Sequence, residues 1–153
     1  AGAMLTAYRS EVLDVCAAHG GIVDKFIGDG ALAIFGIGAR VATGAADALN
    51  AAADMARRFA DAPYRVGVGV HYGDALIGAV GDERRLEFTV IGATVNIASR
   101  VEQLTKETGE TALATAETVA AAGASDWAQI DPRAVKGLDA PLALCAFRPV
   151  DVS

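Results

Sequence analysis

The sequence has few aromatic residues, prolines and cysteines, and it lacks any long hydrophobic run. Of its 153 residues 6% are aromatic, with 4 prolines and 2 cysteines. Cys16 and Cys145 lie far apart and without the spacing of metal ligands, so we expect two reduced thiols, as in a cytosolic protein. No apolar run reaches the roughly 18 residues of a transmembrane helix. We therefore predict a cytoplasmic chain without a membrane segment, although a longer parent protein could be tethered to a membrane.

Positive charge is also scarce. The chain has 13 Lys and Arg against 19 Asp and Glu, a formal net charge of −6. Because nucleic-acid-binding faces are basic, we expect no nucleic-acid partner. An acidic chain can still bind a polyanionic nucleotide if metal ions and a few local cations supply the charge. The hydrophobic content of 53% and the mean hydropathy of +0.35 indicate that some apolar surface is buried against a partner.

The length and the order of elements predict one α+β domain over residues 1–153. We expect helices and strands in the following order: helix 4–19, a hairpin with strands 22–27 and 31–36, helix 40–60, two strands within 64–81, strand 87–91, helix 93–107, strand 110–114, helix 115–122 and strands 126–130, 133–136 and 142–148. The pattern fits a sheet with helices packed on one face. It would be a ferredoxin-like βαββαβ unit if one more strand preceded residue 1.

The hairpin IVDKFIGDGALAIFG, residues 22–36, carries two charges that need an explanation. Asp29 at the turn is ordinary, because aspartate bonds its own backbone and the flanking glycines supply positive φ. Lys25 is unusual, because lysine is depleted in strands. A strand lysine four residues before a turn carboxylate raises the question of a shared function.

Other polar residues are unremarkable when each is taken alone. Asn96 and Arg100 are four residues apart on a predicted helix and project from the same face, where a solvated polar stripe is the ordinary interpretation. Lys136, in AVKGL, is by itself a surface lysine. His71 is more typical of a packed strand histidine than of a catalytic one. Gly67-Val68-Gly69 lies in a strand rather than opening a helix, which disfavours a dinucleotide-binding motif.

Three segments, in this order and spacing, resemble the catalytic domain of class III adenylate and guanylate cyclases. They are GGIVDKFIGDGALAIFG, RVGVGVHYGDALIGAVGDERRLEFTVIGATVNIASRVEQL and AVKGLDAPL. The resemblance runs from about residue 5 to residue 148. It implies a ferredoxin-like nucleotide cyclase catalytic domain.

The resemblance implies roles for Asp29 and Lys25 of the hairpin. Asp29 matches one of two aspartates that hold a pair of divalent cations, Mg²⁺ or Mn²⁺, in each site. Lys25 matches a lysine that touches the purine in the site completed by the other subunit of a homodimer. Thr89 matches a second base-contacting position. A lysine donor and a hydroxyl fit adenine, whereas guanylate-type members carry an acidic residue and a cysteine there, so we expect ATP as the substrate.

The resemblance also implies roles for three residues in the ribose and phosphate sites. Asn96 would orient the ribose. Arg100 would meet the charge that develops on the α-phosphoryl oxygens in the transition state. Lys136 would bind the terminal phosphates as a compact point charge. The implied activity is the conversion of ATP to 3′,5′-cyclic AMP and pyrophosphate in a signalling pathway.

One departure from the family pattern opens an alternative. The family domain begins with a strand and a turn that supplies the first metal aspartate, and residue 1 already matches the helical segment after it. We therefore expect an N-terminally incomplete domain that lacks its first strand and has little or no activity by itself. A regulatory domain is expected elsewhere in the full-length protein. The alternative is a catalytically silent cyclase-like module that binds nucleotide or acts in regulatory dimerisation.

Overall fold

The structure is a computed structural model that describes residues 2–74, 76–80 and 87–149, without the side chains of 76–80 and 87–91. The helices are α1 (Gly2–Ala18), α2 (Gly44–Arg58), α3 (Ala93–Thr108) and α4 (Ala116–Ala122), with a 3-10 helix at Gly38–Thr43. The strands are β1 (Ile22–Ile27), β2 (Gly30–Ile34), β3 (Val68–Val70), β4 (Leu76–Val80), β5 (Glu87–Ile91), β6 (Ala112–Thr115), β7 (Trp127–Arg133) and β8 (Leu142–Phe147).

The first half of the chain forms a helix, a hairpin and a second helix, as the sequence predicts. Strands β1 and β2 pair antiparallel, with Ile27 opposite Gly30 at the turn. The apolar face of α1 buries Val12 and Val15 against α2 and the hairpin. The predicted helix 40–60 differs at its start, where a 3-10 helix precedes α2 and leaves Val41 73% exposed.

The main sheet has four strands in the order β3-β6-β8-β7. Strand β3 runs parallel to β6, and β8 lies antiparallel to both β6 and β7. Two further antiparallel pairs, β1-β2 and β4-β5, complete the strand pairing that the described residues show. The predicted strand 126–130 is observed as β7, which continues to Arg133 with an irregular register after Ile130. The predicted strand 133–136 is wrong, because residues 134–136 lie outside any strand.

Helices cover both faces of this sheet, not the single face expected from the sequence. On one face, Ala112 and Cys145 pack with α2 residues such as Leu49. On the other face, Leu113 and Leu144 pack with α3. Every residue of β6 is buried, because neighbouring side chains of a strand point to opposite faces and both faces are covered.

Two glycines, Gly69 in β3 and Gly67 directly before this strand, bring α3 close to the sheet. A Cβ at Gly69 would overlap the backbone nitrogen of Glu102, and a Cβ at Gly67 would overlap the side chain of Thr105. The Gly67-Val68-Gly69 segment therefore has a packing role. It sets the position of α3, the helix that carries Asn96 and Arg100.

Both cysteines are buried and unpaired, which confirms the prediction of two free thiols. Burial raises the pKa of the Cys16 thiol to about 11. Within residues 2–74, 76–80 and 87–149, no helix combines the length and the apolar character needed to cross a membrane.

Candidate functional site

The β1-β2 hairpin presents Asp29 at its tip. Gly28, in the left-handed region with φ +60°, and Asp29 form the turn between the strands. Arg9 of α1 secures this tip, since its Nη2 donates to the Gly28 carbonyl oxygen over 3.2 Å and its guanidinium lies 4.9 Å from the Phe26 ring centroid. Asp29 is exposed, so its carboxylate is free to meet a ligand or a second chain.

Lys25 projects from β1 beside a buried carboxylate. Its side chain is 44% exposed, and its Nζ lies 3.5 Å from Oδ2 of Asp24, whose side chain is only 1% exposed. Sequence reasoning assigned Asp24 to the hairpin without a role. The available signal was a second charge inside an apolar strand, directly before the lysine.

Thr89 lies in β5, where its backbone is opposite Gly78 of β4. Its side chain is outside the described residues. Strand β5 lies in contact with β1, so the backbones that carry Thr89 and Lys25 belong to neighbouring elements. The position fits a shared environment for these two residues.

Helix α3 holds Asn96 and Arg100 on an exposed face. Val101 is fully buried and Leu104 nearly so, and both pack against the sheet. Asn96 and Arg100 are exposed, and the helical repeat places them one above the other. The apolar face of α3 thus anchors the helix to the sheet.

Arg100 and Lys136 line one pocket of about 170 Å³ between α3 and the segment after β7. The other lining residues are Gln103, Leu104, Glu107, Ala134 and Val135. Two cations in one exposed pocket can bind an anionic group, and the single carboxylate of Glu107 leaves a positive balance. The structure thus brings together two residues that sequence reasoning placed in a common phosphate site.

Asp29 is not among the residues that line the pocket of Arg100 and Lys136. Within one chain, the carboxylate predicted to hold a metal ion and the two predicted phosphate-binding cations therefore do not share this pocket.

Asp29 has the donor chemistry of a site for Mg²⁺ or Mn²⁺, which prefer carboxylate oxygens. In the part of the chain that the structure describes, no three His, Cys, Asp or Glu side chains are grouped to hold a metal ion. Asp29 fits as one ligand, and water and nucleotide phosphates would have to supply others.

A larger pocket of about 510 Å³ lies elsewhere, between α1, α2 and the turn after α4. Its lining includes His19 and Asp54, whose Nε2 and Oδ2 atoms are 3.0 Å apart. Burial alone would raise the pKa of Asp54, but hydrogen bonds with His19 and Arg58 outweigh it and lower this pKa. None of the residues predicted for the site lines this pocket, and no sequence pattern pointed to it.

His71 packs in a polar network, in agreement with its interpretation as a buried histidine. It follows β3 directly, its side chain is 5% exposed, and its Nδ1 lies 2.8 Å from Oγ1 of Thr115. Thr115 in turn bonds Thr118 over 2.6 Å. The network joins the end of β3 to α4.

Comparison with known proteins identifies what the chain resembles. The family model of the adenylate and guanylate cyclase catalytic domain matches residues 3–140. The terminal-differentiation-specific adenylate cyclase of Dictyostelium discoideum is 39% identical over 129 residues, which cover 79% of this chain and 6% of that protein. Across the first curated relatives that match, the chain spans between 6% and 27% of their length.

Solved structures of both nucleotide specificities share the fold. The adenylyl cyclase CyaB from P. aeruginosa superposes with a TM-score of 0.74 at 23% identity, covering 99% of this chain and 83% of that one. The guanylyl cyclase Cya2 superposes with a TM-score of 0.65 at 26% identity, covering 94% and 78%. The α+β fold predicted from the sequence is confirmed.

Proposed function

The chain belongs to the family of adenylate and guanylate cyclase catalytic domains, and from this premise we propose that it is an adenylate cyclase. The reaction converts ATP to 3′,5′-cyclic AMP and pyrophosphate. The ribose 3′ oxygen forms a bond to the α-phosphorus and loses its proton, while the bond from that phosphorus to the pyrophosphate oxygen breaks.

The observation that carries this proposal is the pocket shared by Arg100 and Lys136. Negative charge grows on the α-phosphoryl and leaving oxygens as the reaction proceeds, and fixed cations stabilise such charge. Arg100 offers a planar set of donors to the α-phosphoryl group, and Lys136 a compact charge to the terminal phosphates. Asn96, one turn before Arg100 on α3, orients the ribose so that its 3′ oxygen lies in line for attack.

Divalent cations complete the charge balance in the proposed reaction. When bound, Mg²⁺ or Mn²⁺ would supply the positive charge that lowers the pKa of the attacking hydroxyl and stabilises the leaving phosphate oxygens. Asp29 is the residue of this chain that we assign to hold them. Its exposed carboxylate at the turn, held in place through the contact of Arg9 with Gly28, suits this role.

The choice of ATP rests on Lys25 and Thr89. Adenine presents an acceptor at N1 and a donor at N6, which fit an ammonium donor and a hydroxyl. Support comes from the contact between their strands, β1 and β5, and from the 39% identical relative, which is named an adenylate cyclase. The free thiols and the nucleotide substrate agree with a cytoplasmic site of action.

We further propose that the active sites lie between two copies of the chain. Within one chain, Asp29 does not line the pocket of Arg100 and Lys136, which favours a site completed by a second copy. A two-fold dimer would bring Asp29 of one copy to Lys25, Thr89, Asn96 and Arg100 of the other.

The test is cyclic AMP formation from ATP with Mn²⁺ by the full-length protein, measured for wild type and for Arg100→Ala. We expect Arg100→Ala to lower kcat by about 100-fold, the usual effect of removing a donor to transition-state charge. Lys106→Ala, a charge removal in the last turn of the same helix, is the matched control and should leave kcat unchanged. A wild-type protein that binds ATP without turnover would instead support the silent nucleotide-binding module.

A further inference from the structure

Asp24 is a buried carboxylate whose burial is not explained by the fold. Both of its carboxylate oxygens are inaccessible to water, and neither has a hydrogen-bond partner among the described residues. The ammonium of Lys25, 3.5 Å from Oδ2, is the one cation that the described residues place within ion-pair distance. A buried carboxylate without hydrogen bonds is costly, and an apolar side chain would serve the strand better.

An irregularity in β1 creates this pair. Val23 is opposite Ala33 and Lys25 is opposite Leu32, so Asp24 is an extra residue in the ladder. In a regular strand, consecutive side chains point to opposite faces and would not pair. A bulge changes the direction of a side chain, and bulges are frequent next to active sites. Here it lets two consecutive residues form an ion pair.

The distance leaves the donors of Lys25 available. A charge-assisted hydrogen bond between an ammonium and a carboxylate measures about 2.7–2.9 Å, and the observed 3.5 Å is longer. The attraction of Asp24 therefore restricts the flexible lysine stem without using the N–H groups for a bond. Those groups can still point to an acceptor on a ligand.

We propose that Asp24 is a positioning residue that orients the Lys25 ammonium for recognition of the purine base. This inference rests on the proposed function, in which Lys25 contacts adenine. Asp24 acts only through Lys25 and touches neither nucleotide nor metal. It thereby contributes to the preference for ATP over GTP.

The test measures nucleotide affinity apart from turnover. ATP and GTP displace a fluorescent methylanthraniloyl-ATP from the full-length protein, its Asp24→Asn and Lys25→Ala variants, and the double variant. We expect Asp24→Asn to weaken ATP binding about twofold to fivefold, the size of one lost charge interaction, and GTP binding less. In the Lys25→Ala background, Asp24→Asn should leave the ATP-to-GTP affinity ratio unchanged, because its effect passes through Lys25.

Asp14→Asn is the matched control, since it makes the same chemical change at an exposed position of α1. It should leave the affinity ratio at the wild-type value. If Asp24→Asn does not fold, Asp24→Ser takes its place, because the smaller side chain fits the same space.

The outcomes separate this inference from the proposed function. If Asp24→Asn leaves the affinity ratio unchanged, or alters it equally with and without Lys25, the positioning role is wrong and the cyclase proposal stands. If the wild-type protein binds neither nucleotide, the cyclase proposal is wrong. If Lys25→Ala leaves the ATP-to-GTP affinity ratio unchanged, the proposed contact of Lys25 with adenine is wrong. In both cases the positioning role of Asp24 is wrong as well.

Discussion

Four of the side chains assigned to the nucleotide are exposed, namely Lys25, Asn96, Arg100 and Lys136. Arg100 is exposed on α3 and the adjacent Val101 has no exposed surface. Replacing Arg100 therefore removes charge without opening a cavity in the core, and surface substitutions of this kind usually change stability by less than about 0.5 kcal/mol. Losses of activity at such positions can be attributed to the chemistry of the site.

For recognition of the purine base, we expect Lys25→Glu combined with Thr89→Cys to lower cyclic AMP formation and to raise the relative use of GTP. Guanine presents a donor at N1 and an acceptor at O6, the reverse of adenine. A mismatched polar pair in a buried site costs about 1–3 kcal/mol, which corresponds to about 5-fold to 150-fold. The measurement is kcat/KM for both nucleotides, and an unchanged ATP preference would place base recognition elsewhere.

His71 gives the fold a dependence on pH. Burial lowers the pKa of its imidazole below the usual 6.5, with the Glu117 carboxylate opposing this. The unfolded chain then binds a proton more readily than the folded chain. Stability is therefore complete above about pH 6.5 and decreases as the pH falls, by at most about 1.4 kcal/mol per pH unit.

We expect His71→Asn, which can still bond Thr115, to flatten this dependence. The measurement is the free energy of unfolding in urea between pH 7 and pH 5, above the range in which Asp47, Asp54 and Glu110, with their lowered pKa values, titrate. An equally steep decrease in the variant would show that another group is responsible.

Helix α3 depends on close packing, because it contacts β3 without an intervening side chain at Gly69. We expect Gly69→Ala to separate the helix from the strand and to reduce the free energy of unfolding by about 1–3 kcal/mol, as overpacking of a core does. Activity should fall as well, since Asn96 and Arg100 move with α3.

Gly2→Ala is the matched control for this substitution. Gly2 lies in the first turn of α1, and a Cβ there would meet no atom within 4 Å. Alanine should be neutral or slightly stabilising at that helical position. Equal melting temperatures for Gly69→Ala and wild type would show that α3 has room to move.

The proposed dimer is a property of the whole molecule, and mixing two inactive variants tests it. Full-length Asp29→Ala and Arg100→Ala chains should each be inactive, and a mixture of the two should regain about a quarter of wild-type activity. Random exchange makes half of the dimers mixed, and a two-fold mixed dimer has one site with both residues intact. A mixture as inactive as either variant would contradict the shared site.

The sequence by itself determined the family and the main elements. The hairpin was predictable because Gly28 and Gly30 flank Asp29 between two apolar runs, and α3 because its apolar residues recur with the helical period. These signals are local, so they can be recognised without knowing which elements pack against each other. The proposed site residues were assigned by resemblance, since alone each of them has an ordinary explanation.

Only the tertiary structure decided which faces meet. The burial of β6 on both faces, the close approach of α3 at Gly69 and the pocket shared by Arg100 and Lys136 all join segments distant in sequence. The pairing of Asp24 with Lys25 depends on the bulge in β1, which one strand acquires only from its register with the other. Periodicity fixes which side of an element is apolar, but the space between elements depends on how they pack.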